Sequence, residues 1–304
     1  MSITLLLLKQ NLIMMIYLIV GYFLFKKKLV GTQGSADIGR MLLYIVMPCA
    51  IINSCLEEFS IEKLEGLAVS FLAALLALLL AIVVSRLTFS REYGIERFGT
   101  AFSNAGFIGI PLVQMTLGSE AVFYIASFVA LLNILQWTYG VVTMSGDRST
   151  ISPKKIATNP ILISFVIGIV LFVLPVSLPD AISGVIGTVA SMNGPLAMIV
   201  LGTYLAQCQL HTLFTDKMVY RSALIRLLVI PLLTILILMP FPDKYETLKF
   251  TILIAAAAPI GSNVAIFAQL YHADYTQAVR EVCVTTLFSI LTMPLVIGIA
   301  NYVL

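Results

Sequence analysis

Long apolar stretches separated by short polar turns dominate this chain. A helix that crosses a bilayer needs about 20 predominantly apolar residues, and the sequence has ten stretches of roughly that length. The clearest is Gly66–Ser85, GLAVSFLAALLALLLAIVVS, which carries no charged residue. The ten predicted spans are 3–25, 36–55, 64–86, 97–117, 121–145, 157–176, 186–207, 218–240, 247–270 and 280–302.

Composition supports an all-α integral membrane protein. Hydrophobic residues make up 60% of the 304 positions and charged residues 11%, whereas a soluble domain has about 25% charged residues. The longest hydrophilic piece is 145–158, SGDRSTISPKKIAT, which leaves no room for a nucleotide-binding or sensor domain. The net charge of +3 calls for no nucleic-acid partner, because topology explains the basic residues.

The lysines and arginines predict the orientation. With the N-terminus outside, thirteen of the 18 basic residues fall in loops on the cytoplasmic side. This positive-inside bias predicts a multi-pass plasma-membrane protein whose two termini both lie outside. No cleaved signal peptide is expected, because the start, MSITLLLLKQ, lacks a basic region and a small-residue cleavage site.

The two halves of the chain share a pattern. At an offset of 155 residues, SNAGFIGIPLVQMTLGSEA from Ser103 lies beside APIGSNVAIFAQLYHADYT from Ala258. Each stretch is an uncharged span with a helix-breaking cluster, then a glutamine, then a polar turn. Five spans per half is an odd number, so the second half enters the membrane from the opposite side. We therefore expect two inverted five-helix repeats, 1–150 and 151–304, as in many secondary transporters.

In such folds the interrupted helices of the two halves meet near the bilayer midplane and bind the substrate. Proline removes a backbone donor and glycine tolerates unwound backbone, so spans four and nine are predicted to be broken and to cross. The N-termini of the broken halves favour an anion. The residues predicted for this crossover are Ser103, Asn104, Gly106, Gly109, Pro111, Pro259, Ser262 and Asn263. The competing interpretation is that these small residues serve helix packing alone.

Several motifs resemble one known family. NAGFIGIPL at 104–112, LGSEA at 117–121 and AAAAPIGSNVA at 255–265 are similar to the fourth and ninth spans of the auxin efflux carrier family. NP at 159–160 and GPLAMIVLG at 194–202 match its sixth and seventh spans. The long cytoplasmic loop of some plant members is absent, so the chain resembles the short prokaryotic type.

The resemblance implies a fold similar to the bile acid:sodium symporters. A scaffold, often dimeric, would come from about 1–56 and 157–207, and a transport domain from about 63–147 and 217–304. The implied partners are a small organic anion, such as a mono- or dicarboxylate, the lipid bilayer and a second copy of the chain. Asn53 and Asn193 would lie on the scaffold side of the site, near Pro48 and Pro195.

Ionisable residues leave ion coupling open. All 15 carboxylates are predicted in loops or at span ends, so none indicates a proton relay, and the choice between Na⁺, H⁺ and no coupling ion stays open. Arg226 lies inside the eighth span, where it either extends to the headgroups or attracts the anion. The cysteines and histidines lack ligand spacing, so no metal or cofactor is expected; they are Cys49, Cys55, Cys208, Cys283, His211 and His272.

The leading hypothesis is a secondary transporter that moves a small organic anion by alternating access. One alternative is a sodium-coupled, bile-acid-type symporter for a larger amphipathic anion. Another class, a membrane enzyme such as an intramembrane protease, is disfavoured because no buried aspartate pair and no HExxH motif are found. A channel or receptor is disfavoured because an inverted repeat supplies no symmetric filter ring.

Overall fold

The computed structural model describes residues 3–174, 178–207 and 216–304, and these are almost entirely helical. No β-strand occurs in those ranges, and the one extended pairing is an isolated antiparallel bridge between Ser103 and Ile260. The helices are α1 (Ile3–Lys26), α2 (Thr32–Met41), α3 (Met47–Ser54), α4 (Ile61–Thr88), α5 (Gly94–Ala101), α6 (Ile110–Leu117), α7 (Ser119–Leu135), α8 (Val141–Ser145), α9 (Pro153–Ala157), α10 (Pro160–Val173), α11 (Asp180–Ser191), α12 (Asn193–Gln207), α13 (Lys217–Leu224), α14 (Ile230–Leu238), α15 (Glu246–Ala257), α16 (Asn263–Leu270) and α17 (Tyr275–Ala300).

Continuous helix long and apolar enough to cross a membrane occurs seven times in the described residues. These stretches are Leu8–Lys26, Thr32–Ser54, Ile61–Thr88, Ser119–Ser145, Asp180–Gln207, Lys217–Leu238 and Tyr275–Ala300. The predicted all-α, multi-pass membrane class is therefore confirmed. Ala105–Leu117 and Pro160–Val173 are apolar but shorter, and the count of ten spans stays a prediction.

Two regions consist of short helices on either side of non-helical backbone. Between α5 and the helical turn that begins at Ala105, residues 102–104 are extended or irregular. Between α15 and α16, residues 258–262 are likewise non-helical. In a bilayer such backbone must bury its polar groups in protein or line a cavity, so these two breaks mark where a site is to be sought.

Four helical stretches each contain a wider π-helical turn. A proline that follows the turn explains three of them. The π turns are Leu42–Val46, Ala105–Gly109, Gln136–Gly140 and Ile225–Val229. Pro48, Pro111 and Pro231 each follow the central residue of one such turn by four positions. A proline donates no hydrogen bond to the carbonyl four residues before it, and the wider turn lets a later amide take that place.

Small residues bring the first and twelfth helices into close contact. An ideal Cβ on Gly21 would lie 2.0 Å from the carbonyl oxygen of Ile199, and one on Gly202 would lie 1.9 Å from that of Leu18. Only glycine fits at either position, because such a contact is far inside van der Waals distance. α1 also packs on α17, while α10 and α11 pack on α3.

Two carboxylates lie deeper than the sequence predicted. Glu281 is 0% exposed and Glu96 is 7% exposed, so the expectation that every carboxylate sits in a loop or at a span end is wrong. The cause is the helix boundaries: α17 begins at Tyr275 and α5 at Gly94, several residues before the predicted spans. His211 and Cys208 lie outside the described residues.

Candidate functional site

The two breaks cross and pair with each other. The amide of Asn104 donates to the carbonyl of Pro259 at 2.7 Å, and the amide of Gly261 donates to that of Phe102 at 3.1 Å. An ideal Cβ on Gly261 would lie 3.0 Å from the carbonyl oxygen of Ser103, so the two backbones meet only because this residue has no side chain. The amide of Ile260 is held by the hydroxyl of Thr285 on α17 at 3.2 Å.

Beside this crossing, a small cavity of about 30 Å³ opens at the N-terminal ends of the two second half-helices. One helical end starts at Ala105 and the other at Asn263. The cavity is lined by Leu43, Met47, Ser103, Asn104, Gly106, Phe107, Val129, Leu132, Asn133, Ile161, Gly261, Ser262 and Asn263. The structure thus brings together five of the predicted site residues: Ser103, Asn104, Gly106, Ser262 and Asn263.

Unused hydrogen-bond donors collect around this cavity. The hydroxyl of Ser103, Nδ2 of Asn104 and Nε2 of Gln136 are buried and have no hydrogen-bond partner in the described residues. Gln136 is oriented by Asn263, whose Nδ2 donates to its Oε1 at 2.9 Å. Buried polar groups are nearly always hydrogen-bonded. Two orphaned donors on the cavity wall, Ser103 and Asn104, therefore make a place beside two helix N-termini that favours a negatively charged ligand. The third, on Gln136, is in contact with the lining residue Asn263.

The other predicted residues frame the cavity without lining it. Pro259 supplies the carbonyl that pairs the breaks. Gly109 packs against Ile125 and Ala255, and Pro111, the second residue of α6, lies beside Gly194. Asn193 donates from Nδ2 to the carbonyl of Gly106 at 3.4 Å. Oδ1 of Asn53 lies 3.4 Å from the ideal Cβ position of Gly187, and its predicted place on the scaffold side of the site stays a prediction.

Arg226 is buried at the back of the crossing. Its side chain is 1% exposed, so it neither extends to the headgroups nor enters an open vestibule, and both interpretations from the sequence are wrong. Its guanidinium donates to three backbone carbonyls, those of Thr100 at 3.0 Å, Ala258 at 3.2 Å and Ala256. These carbonyls lie at the C-terminal ends of α5 and α15, the negative ends of both dipoles. One cation therefore joins the two broken helices.

A larger cavity of about 350 Å³ reaches the crossing from the side predicted as cytoplasmic. It shares Leu43, Phe107, Ser262 and Asn263 with the small cavity and extends to Thr32 and Gln207 at helix ends. Arg40 lies on its wall, with Nη2 3.3 Å from Asp37. This exposed guanidinium is the positive group at the mouth of the site, the place the sequence assigned to Arg226.

Comparisons with known proteins identify the family of the chain. Residues 7–155 and 148–297 each match the family described as membrane transport protein. The chain belongs to this family of auxin efflux carrier type. It is 25% identical over 300 residues to an uncharacterized transporter of Methanocaldococcus jannaschii, covering 93% of this chain and 96% of that protein. It is 22% identical over 296 residues to one from Methanothermobacter thermautotrophicus, covering 92% and 94%.

Two residues of this membrane transport protein were missed from the sequence. Asn133 and Gln136 lie three positions apart on one face of α7 and its π turn, and both border the crossing. Asn133 also accepts a hydrogen bond from Asn159 at 3.3 Å through its Oδ1. The signal was available: uncharged amides in the middle of an apolar span, LLNILQW, are costly unless they have partners or a ligand.

Proposed function

We propose that this membrane transport protein is a secondary transporter for a small organic anion, with mono- and dicarboxylates as the substrate class. The observation that carries the proposal is the pair of unpartnered donors on Ser103 and Asn104 beside two helix N-termini. A third unpartnered donor, on Gln136, lies next to the lining residue Asn263. A carboxylate offers the acceptors that these donors lack, and a hydrogen bond to a charged group contributes about 1.5–3 kcal/mol. The family and the two archaeal relatives support transport in general.

Cavity size favours a small substrate. The 30 Å³ cavity at the donors holds about two water molecules, while the 350 Å³ cavity next to it is in the range of small-molecule sites. We infer that the substrate enters the larger cavity and places one carboxylate at the donors. Apolar walls from Leu43, Met47 and Phe107 would hold the carbon chain.

The proposed mechanism is alternating access. Ten spans in two inverted repeats would place the crossing in a transport domain, about 63–147 and 217–304, which moves against a scaffold of about 1–56 and 157–207. In this structure the larger cavity reaches the predicted cytoplasmic ends, where Thr32, Arg40 and Gln207 lie. We propose that this cavity belongs to an inward-facing conformation of a plasma-membrane protein with both termini outside. A homodimer through the scaffold is part of the proposal.

Reconstitution into liposomes tests the proposal. Liposomes that contain the protein are loaded with unlabelled acetate, malonate, malate or succinate, and the same labelled anion is added outside. They should take up the label by exchange faster than loaded liposomes without protein do. Running each exchange with sodium and with choline instead separates an anion carrier from a sodium-coupled symporter. Asn104→Ala should weaken the apparent affinity about tenfold to a hundredfold, because one charged hydrogen bond is lost.

Asn301→Ala is the matched control, since Asn301 is exposed at the end of the last helix. It should exchange anions at the wild-type rate. If no anion in the panel is exchanged, or if Asn104→Ala exchanges as well as the wild type, the assignment of the crossing as an anion site is wrong.

A further inference from the structure

The part of the transport domain behind the crossing holds a carboxylate that the anion site does not use. Glu281 is 0% exposed on α17, and neither of its oxygens has a hydrogen-bond partner in the described ranges. The hydroxyl of Ser222 faces it and also remains without a hydrogen bond of normal geometry. An ionised carboxylate so buried and unpaired costs several kcal/mol, whereas the neutral acid does not carry that penalty.

Glu281 lies next to the crossing, because it and the side chain of Ile260 both pack around Gly99 on α5. Its Oε2 lies 3.6 Å from the ideal Cβ position of Gly99 on α5, where the side chain of Ile260 also packs at 3.1 Å. Thr285, one turn further along α17, holds the amide of Ile260. A change of charge at Glu281 therefore acts on the same backbone segment that carries the anion site.

A polar connection leads from Glu281 towards the predicted cytoplasmic side. Gln277 precedes it by one turn of α17, and its Nε2 donates to Oε1 of Glu96 at 3.3 Å. Glu96 and Gln277 line a cavity of about 550 Å³ with Asp274 at that end of the molecule. Positions 277, 281 and 285 share one helix face, so Gln277, which lines this cavity, lies one helical turn from Glu281 on the same face.

The nearby charged residues Asp216 and Arg226 each bind a partner other than Glu281. Asp216 precedes α13 and pairs with Arg280, whose Nη1 lies 3.7 Å from its Oδ2. Arg226, on the π turn that packs against α17, is bound to the carbonyls of the crossing. Glu96 remains as a second acid that faces Glu281.

We propose that Glu281 is a proton-binding site that couples anion transport to a pH gradient, with Glu96 and Gln277 as its link to the cytoplasm. The coupling rests on the proposed anion transport. An ionised Glu281 behind the crossing repels the substrate carboxylate in front of it, so the anion binds together with one proton from water. A monoanion then crosses with no net charge, and a dianion carries one negative charge.

The first test needs no substrate. Infrared difference spectra of the purified protein between alkaline and acidic pH should show the carbonyl stretch of a buried carboxylic acid. Glu281→Gln should lose this band, whereas Glu62→Gln, at an exposed position on α4, should keep it. If the spectra of Glu281→Gln and wild type agree at every pH, Glu281 does not titrate and the proposal is wrong.

The second test uses malonate in liposomes, with exchange and net uptake measured separately. A pH gradient that is acidic on the substrate side should accelerate net uptake by wild type about tenfold, within the usual range of coupling. Glu281→Gln should lose this acceleration and keep exchange, because the amide mimics the protonated acid. Glu281→Asp keeps a carboxyl group and should keep a pH response with a shifted midpoint.

The outcomes separate the two proposals. If wild type does not exchange malonate or the other anions, the proposed substrate class fails, and the infrared result still decides whether Glu281 binds a proton. If exchange occurs but the pH gradient changes neither wild type nor Glu281→Gln, anion transport stands and proton coupling is refuted.

Discussion

Gly261→Ala is the sharpest test of the crossing, because one added methyl group presses on the backbone of the other half of the chain. The new Cβ would lie 3.0 Å from the carbonyl oxygen and 3.3 Å from the carbonyl carbon of Ser103, and 3.4 Å from the oxygen of Phe102. None of these atoms belongs to a flexible side chain, so the two breaks must move apart by several tenths of an ångström.

That movement has a calculable cost. The hydrogen bond from Gly261 to Phe102 is already 3.1 Å long, and a longer one falls outside the usual range. Losing it leaves a buried amide and a buried carbonyl unsatisfied, at about 1–3 kcal/mol, and overpacking adds about 1–3 kcal/mol. With partial relaxation we expect a total near 2–4 kcal/mol. At about 2 °C per kcal/mol, the unfolding midpoint in detergent should fall by about 4–8 °C.

The control is Gly184→Ala. Gly184 lies in α11 and has nothing within 4 Å of its ideal Cβ. Alanine there should leave the free energy of unfolding unchanged or raise it by about 0.5–1 kcal/mol, because it reduces the backbone entropy of the unfolded chain. For both variants, the unfolding midpoint is measured by tryptophan fluorescence or by aggregation on heating. The rate of anion exchange is measured in liposomes. If Gly261→Ala unfolds and exchanges like Gly184→Ala, the two breaks do not meet as described.

Three further predictions follow from single contacts. Arg226→Met should lower the free energy of unfolding by about 3 kcal/mol or more, because three buried carbonyls lose their donor; Arg226→Lys, with a smaller donor set, should recover part of this in a thermal scan. Gly202→Val should abolish the packing of α1 on α12, and size-exclusion chromatography should then show loss of the monodisperse protein. Gly31→Val is the control and should not have this effect, because nothing lies within 4 Å of the ideal Cβ of Gly31. Gln136→Leu should weaken anion affinity about tenfold in exchange assays, because Asn263 loses its partner and the cavity loses a donor, and unchanged affinity would exclude Gln136 from the site.

Much of the framework follows from elementary patterns in the chain. Apolar length and charge placement predict a multi-pass helical protein, and the pairing of Ser103–Pro111 with Pro259–Asn263 identifies the two segments that cross. These features depend on backbone chemistry, which a sequence displays directly: proline and glycine interrupt helices wherever they lie in a span. The family match confirms that the chain is a membrane transport protein, and the broken helices rest on the structure alone.

What failed was the direction in which long polar side chains point. Arg226 and Glu281 lie near the predicted starts of their spans, where either residue type usually extends to the headgroups. Arg226 turns inward because the broken helices leave polar backbone inside the protein, and such backbone exists only after tertiary packing. Glu281 is buried because its helix begins several residues before the predicted span, and a helix boundary is the least certain part of a sequence prediction. Side-chain direction at a crossing is thus a property of two segments at once.

The burial of Arg226 also bears on the sign of the substrate's charge. Two broken helices that cross present two negative C-terminal ends and two positive N-terminal ends. The guanidinium of Arg226 binds carbonyls at both negative ends, so these ends hold a resident cation and have no need of one from solution. The positive ends face the cavity with donors still unused. A cation that entered this cavity would meet donors and positive dipole ends, whereas a carboxylate would satisfy both. This arrangement supports the proposal that the site takes anions, because the buried Arg226 satisfies the negative helix ends and leaves the positive ends facing the cavity.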